Sequence, residues 1–411
     1  MQVLHRRCAG LDLHKDLIVA CARLVERRKV RRETAKFGTT TRELVRLAEW
    51  LAGHGITHVV MEATGVYWKP VWHVLEGQFE VTLANAADVR NVPGRKSDVN
   101  DADWFTDLHA HGLVRASFVP PRPIRELRDL TRTRRQVGRD VVRHQQRVEK
   151  VLQDANIKLS SVLSDLFGPS GVRMLEAIAA GETSPGRIAD LGSPRLTCSR
   201  PQLIAALEGH LDAHHRFMIG FHLRVLAGLE AAIADLDRRI EEHVRPFRTA
   251  VDLAAAVPGV KRVAAAGIIA EIGVDMSVFP SDAHLRSWSR VVSRLDESAG
   301  KKRSRRVKKG GAWLKPLLVQ CARAAARTKA SYYGAQYRRL KLRIGDKKAI
   351  LAVAASLLTA IYHMLKNGVA HCDLGADYFA RRDAQDKPKK AERMVKGLRA
   401  LGYQVELRPA A

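Results

Sequence analysis

The order of apolar runs in the N-terminal segment is the tightest constraint on the fold. Cys8 to Leu13 is a short apolar run interrupted by Asp12, Leu17 to Leu24 is a second, and Val30 to Phe37 is a third extended stretch, polar enough for a sheet edge. Turn-like residues (His14, Lys15, Asp16) separate the first two, and three consecutive strands joined by short turns read as a meander. Thr41 to Ala52 then shows helical spacing (Leu44, Leu47, Leu51) with Thr40 or Thr41 as cap. His58 to Met61 reads as a buried strand ending in Glu62, Val66 to Leu75 as a helix, Val81 to Ala84 as a strand and Asp101 to His111 as a helix.

The order βββαβα followed by β and α is that of an RNase H-like α/β domain, and acids recur at its element ends. Asp12 lies in the first strand, Glu62 ends the fourth, and Asp98 and Asp101 open the last helix, where a spacing of three places both on one face. Carboxylates brought together this way repel one another unless a divalent cation neutralises them. Two Mg²⁺ ions about 3.5–4 Å apart would stabilise the attacking and leaving oxygens of a phosphoryl transfer. Taken singly, Asp98 or Ser97 reads as a helix cap and Asp12 as a turn residue; four acids in this order favour a metal site.

The chain carries 70 Lys and Arg against 43 Asp and Glu, a formal charge of +27, which points to nucleic acid or an anionic membrane surface as partner. With no run of about 18 apolar residues a membrane span is not expected, nor is a signal peptide in Met1 to Arg7. Five scattered cysteines (Cys8, Cys21, Cys198, Cys321, Cys372) without a Cys-x-x-Cys pair suit a reducing cytoplasm and argue against a zinc ribbon or disulfide frame.

Pro120-Pro121-Arg122-Pro123 separates the first domain from a heptad-like helix, with Leu127, Val141, Val148 and Ala155 on one seam position and Leu130, Val137 and Val151 on the other. Leu226, Leu229, Ile233, Leu236 and Ile240 form a second candidate, so the two helices are expected to pair as an antiparallel coiled coil or to mediate oligomerisation. Arg125, Arg128, Arg132, Arg135, Arg139, Arg143 and Arg147 recur three or four apart on the first. Solvated faces alternate signs, and acids are few here, so the stripe is expected to face phosphates. Gly168 to Pro201 reads as loops with a short helix, and His210, His214 and His215, lacking a third metal ligand, as exposed helix residues.

In the C-terminal half, Leu253 to Gly273 turns at Pro258-Gly259, either as a helix-hairpin-helix that offers free N–H groups to a phosphate or as a simple helical corner. Seven of the nine residues from Lys301 to Lys309 are Lys or Arg, a run that needs solvent or an anionic partner. Ser298 stands just before it, with Ala299 and Gly300 leaving room around the hydroxyl, a setting suited to attack on a phosphodiester. Helices are expected at Asp282 to Ser289, Trp313 to Thr328, Ala349 to Leu365 (apolar core) and Lys389 to Leu401, the last followed by a strand from Gln404 to Leu407.

Gly10-Leu11-Asp12, Met61-Glu62-Ala63-Thr64-Gly65, Lys96-Ser97-Asp98-Val99-Asn100-Asp101-Ala102, Pro258-Gly259-Val260 and Glu297-Ser298-Ala299-Gly300-Lys301 together resemble the DEDD transposases of bacterial insertion sequences, the bridge-RNA-guided recombinases of the IS110 family. The resemblance spans nearly the whole chain. It implies a RuvC-like nuclease domain (1–119) whose acids are Asp12, Glu62, Asp98 and Asp101, holding two Mg²⁺ ions. It implies a helical coiled-coil linker (120–248) and a mostly helical C-terminal transposase domain (249–411) with Ser298 as nucleophile. Donor and target DNA, an element-encoded guide RNA pairing with both, and a dimer or tetramer are the implied partners, in the bacterial cytoplasm at the nucleoid. Lys301, Lys302, Arg303, Arg305, Arg306, Lys308 and Lys309 are expected to clamp DNA, and the Arg125–Arg147 face to hold RNA or DNA. Relatives carry a Gly- and Pro-containing turn where this chain has Ser289 to Asp296. The alternatives are a metal-dependent junction nuclease in which water attacks, and a catalytically dead nucleic-acid-binding relative.

Overall fold

In a computed structural model of the chain, the residues described are 3–26, 29–63, 65–84, 101–293, 297–298, 301–302, 306–307 and 310–406; for 101, 297, 298, 301, 302 and 389 the backbone alone is described. They form two units, Met1–Val119 and Pro120–Ala411.

The first unit follows the expected element order: β1 (Arg7–Leu13), β2 (Ile18–Glu26), β3 (Lys29–Phe37), α1 (Thr41–Gly53), β4 (His58–Glu62), α2 (Trp68–Leu75), β5 (Glu80–Ala84) and α3 (Asp101–Ala110). The strands form one mixed sheet in the order β3-β2-β1-β4-β5. The meander is antiparallel and β4 and β5 run parallel to β1. Alternation along the strands divides the sheet into two faces. Ala9, Leu11 and Leu13 of β1 and Val59 and Met61 of β4 join Leu44, Leu47 and Leu51 of α1 and Val71 and Leu75 of α2 in the main core. The opposite face belongs to α3, where Val60 and Ala84 pack with Phe105 and Leu108, and Val19 and Cys21 with Ala102.

The second unit is helical: α4 (Arg122–Asp154), α5 (Leu159–Val162), α6 (Pro169–Ala179), α7 (Pro185–Ala189), α8 (Arg200–Leu207), α9 (Ala213–Val244), α10 (Arg248–Ala255), α11 (Arg262–Ile272), α12 (Asp282–Trp288), α13 (Leu314–Arg327), α14 (Tyr332–Ile344), α15 (Asp346–Asn367) and α16 (Tyr378–Ala400). The heptad-patterned α4 and α9 pack along each other, with Val148, Leu152, Ile219 and Leu226 buried in a cluster that α6–α8 complete. The segment 168–201, expected as loops with a short helix, holds two helices and the start of a third, with Pro169 and Pro185 in first-turn positions that need no N–H. The last helix begins at Tyr378, earlier than expected, and runs through Pro388; residues 404–406 form no strand.

By length and hydropathy alone, α15 and the segment Ala213–Ala255 match membrane spans. α15 is nonetheless a core helix: Val353, Leu357, Leu358 and Ile361 are buried against α12, α13 and α14.

Candidate active site

β1 and β4 deliver their two acids to the same end of the same sheet face. The parallel register pairs Leu11 with Met61, so Asp12 and Glu62 stand opposite one another one step further on, on strands about 4.8 Å apart. Both alternate away from the main core, toward α3. That helix runs antiparallel to β1: the Leu4 N–H donates to Ala110 O at 2.8 Å, Cys8 Sγ to Thr106 O at 3.8 Å, and Ala102 sits over Gly10. Its first residue, Asp101, and its positive dipole end therefore lie toward the strand termini that carry Asp12 and Glu62. His14 Nε2, from the β1–β2 turn, lies 3.1 Å from Asp12 Oδ2. The Asp101 side chain and all of Asp98 lie outside the described residues, and no three metal-ligating side chains converge among those described.

Gly10 makes this arrangement possible. A Cβ there would come within 2.3 Å of Ala102 O and 2.4 Å of Thr106 Oγ1, so only glycine admits the helix this close. The buried Thr106 hydroxyl donates to Ala102 O at 2.6 Å and Cys21 O at 3.2 Å. Two acids that sequence reasoning passed over anchor the helix: Arg23 Nε donates to Asp107 Oδ1 at 3.0 Å, Arg32 pairs with Asp107 and Asp103, and Cys21 Sγ donates to Asp103. Burial, reinforced by Asp103, pushes the Cys21 thiol up to about 12, and burial raises Cys8 to about 11, so both stay protonated. The available signal was the i, i+4 spacing of Asp103 and Asp107 beside basic residues on neighbouring strands.

Ser298 lies in a short antiparallel pairing in which Ser298 faces Lys301 and Glu297 faces Lys302, with Ser293 bridging Val307 below it. The serine thus stands three residues before its own cross-strand partner. Below this pairing Arg290 adopts a left-handed φ of 60°, and Gly310 and Gly311 also have positive φ. Those left-handed conformations (φ 101° at Gly310, 69° at Gly311) are ones that L side chains rarely adopt, so the backbone after the basic run favours glycine. Among the expected DNA-clamping residues only Arg306 has a described side chain, and it is exposed; Arg303, Arg305, Lys308 and Lys309 lie outside the described residues, as do the side chains of Lys301 and Lys302.

The arginine stripe of α4 is only partly a surface. Arg132 makes a bidentate pair with Glu271 at 2.7 and 2.8 Å, and Arg128 donates to Ala270 O and Glu271 O. Arg135 donates to Trp313 O, and the Arg132 and Arg139 guanidiniums lie over the Trp313 ring. Burial lowers Arg128 to about 10 although Glu271 opposes the shift. The expectation of one continuous phosphate-facing stripe is corrected here: Arg128 and Arg132 seat α11 on α4, Arg125 is half-buried, and Arg139, Arg143 and Arg147 are exposed. The Pro258-Gly259 turn forms between α10 and α11, with Gly259 (φ 82°) packed against α13. Among the described residues the histidines near 210 join no group of metal ligands: His215 belongs to the N-cap of α9, between Asp212 and Asp154.

A mixed sheet offering carboxylates at one strand end, joined to a basic helical unit, suits a protein that handles nucleic-acid phosphates. A family model for DEDD-type transposases of the IS110 group matches residues 9–157, which include Asp12, Glu62, Asp98 and Asp101, and a second, described as the transposase IS116/IS110/IS902 family, matches residues 251–338, which include Ser298. The chain belongs to the IS110 family of transposases. It is also similar, at 25% identity over 311 residues (72% of this chain and 79% of the other), to a probable family 20 transposase of Pseudomonas aeruginosa PAO1.

Proposed function

We propose that this transposase cuts and rejoins DNA with an acid cluster of Asp12, Glu62, Asp98 and Asp101 and a serine nucleophile, Ser298. The observation that carries the reading is the delivery of Asp12, Glu62 and the first residue of α3 to one end of the RuvC-like sheet. Neighbouring carboxylates there offer the hard oxygen donors that Mg²⁺ takes. When bound by these four acids, Mg²⁺ ions supply charge neutralisation at the scissile phosphate. His14, beside Asp12, holds that carboxylate's orientation.

Ser298 Oγ attacks phosphorus, its proton passing to solvent. The bond from phosphorus to the 3′-oxygen breaks, leaving a 3′-OH on one DNA end and a phosphoserine link on the other. Attack of a 3′-OH from the exchanged strand reverses the step and regenerates the hydroxyl of Ser298. The cationic run from Lys301 to Lys309 clamps the strand next to the nucleophile, and the exposed Arg139, Arg143 and Arg147 hold RNA or DNA. Guidance by an element-encoded bridge RNA, assembly as a dimer or tetramer, a coiled-coil role for α4 and α9 within 120–248 and action at the bacterial nucleoid complete the reading, supported by the family and by the charge of +27.

The test is strand joining by the full chain with donor DNA, target DNA and the element's RNA. Joined product is expected with Mg²⁺ and is expected to vanish with Asp12→Asn or Glu62→Gln. Undiminished joining by both variants would remove the acid cluster from the mechanism.

A further inference from the structure

A cavity of about 820 Å³ opens where α4, α9, α10, α11 and α13 meet in the second unit. Its floor is apolar, formed by Ile240, Val244, Val251, Ala266 and Leu317, while Val142 and Val263 are about half exposed at its edge. Five cations and two acids line it. Arg134 is matched by Asp237, and Arg262 by Glu241 at 2.7 Å and Asp252 at 2.5 Å. Among the described residues Arg139 and Lys261 make no ion pair, and Arg135 donates to Trp313 O with only the more distant Glu271 opposing its charge, so the wall keeps an excess of positive charge. Lys261 stands at the N-terminus of α11 in extended conformation without a side-chain cap, and the first bond into that helix runs from Ala265 N to Lys261 O. The N–H groups of Arg262, Val263 and Ala264 therefore remain as donors on the same wall. Gln320, exposed at the rim, adds an amide that both donates and accepts.

An apolar floor beneath unmatched cations fits an occupant with one flat apolar part and one anionic part. We infer that this cavity receives a single extruded nucleotide of the bound strand, its base against Val142, Ile240, Val263 and Leu317 and its phosphate at Lys261, Arg139 and the start of α11. The inference rests on the nucleic-acid reading above and adds a place where one base leaves the stack. The volume falls within the range of sites that enclose small ligands, and bases taken out of a stack are held between apolar or aromatic side chains. Gln320 is placed to meet a base edge, as glutamine does for adenine. RNA and DNA share this chemistry, and the experiment separates them.

The full chain is mixed with single-stranded oligonucleotides carrying 4-thiouridine (RNA) or 4-thiothymidine (DNA), irradiated, and its cross-linked peptides sequenced. Cross-links are expected at Val142 or within 261–267, in whichever arm supplies the nucleotide. Ala264→Trp, which fills the cavity, is expected to weaken oligonucleotide binding about tenfold, the loss of one stacked base, and to abolish those cross-links with the thermal midpoint unchanged. Should Ala264→Trp fail to fold, Val263→Trp, starting from an exposed position, serves in its place. Wild-type binding with cross-links only elsewhere overturns the inference and leaves the transposase reading intact, as does a folded cavity-filled variant that binds and cross-links like wild type. A changed oligomeric state with unchanged oligonucleotide binding assigns the cavity to a second copy of the chain and also overturns it. Absence of oligonucleotide binding by the wild type defeats both readings.

Discussion

Substituting Gly10 by alanine tests whether the packing of α3 on β1 positions the acids. The added Cβ would lie 2.3 Å from Ala102 O, 2.4 Å from Thr106 Oγ1 and 2.9 Å from Thr106 N. The threonine hydroxyl can rotate away, but the other two atoms are backbone, so the helix has to retreat by roughly 1 Å to regain ordinary van der Waals contact. Retreat is resisted by the Arg23–Asp107 and Arg32–Asp103 pairs and by the Leu4–Ala110 bond. Overpacking of this kind costs about 1–3 kcal/mol. Because Asp101 is the first residue of the same helix, the displacement reaches the proposed metal cluster, and a misplacement of about 1 Å costs roughly a hundredfold in rate. The assay is single-turnover strand joining at saturating DNA and Mg²⁺, with thermal melting measured on the same preparations. A Gly10→Ala protein that melts a few degrees lower and joins about a hundred times more slowly meets the expectation. One that joins within twofold of wild type would show that the seat of α3 does not set the geometry of the acids.

Three other expectations concern stability. Glu271→Ala leaves Arg128 and Arg132 facing each other without their shared carboxylate and should cost about 3–5 kcal/mol, read as a lower denaturation midpoint of the second unit. Gly259→Ala combines a φ of 82° with a Cβ placed 2.5 Å from both Ala325 N and Cys321 O, and its expected loss of at least about 2 kcal/mol is checked by urea unfolding. His109 is held neutral, burial first and then His5 and His58 lowering it from 6.5 to about 4. The unfolded chain takes up that proton below about pH 6.5 and the folded chain only near pH 4. The stabilisation is therefore complete above pH 6.5 and fades as pH falls toward 4, by roughly 3 kcal/mol at most. Melting of His109→Leu between pH 7 and pH 4.5 should accordingly fall less steeply than that of wild type.

Element order in the first unit was legible because short apolar runs separated by turns admit few arrangements, and Asp12 and Glu62 stood out as charges, one within such a run and one ending it. The role of Gly10 was not legible, since a glycine in a strand does not reveal which helix crosses it. The arginine stripe on α4 was read correctly as a helical face and incorrectly as wholly solvent- or phosphate-facing. Its partner, Glu271, lies well over a hundred residues away in a helix of small apolar residues, where nothing in the local pattern announces a buried ion pair. The pairing of Ser298 with Lys301 was hidden by charge, because a basic run reads as solvated loop. The cavity had no sequence signal at all, because five helices, from α4 to α13, each contribute part of its wall.

The central claim, that Ser298 is the nucleophile, is tested most directly by trapping the protein on a nicked suicide DNA substrate with Mg²⁺ and sequencing the protein–DNA adduct by mass spectrometry. The expected result is a phosphodiester-derived link on Ser298, with a free 3′-OH on the released strand and no adduct from Ser298→Ala or Asp12→Asn. Cleavage without any adduct, or an adduct that persists in Ser298→Ala, would contradict it.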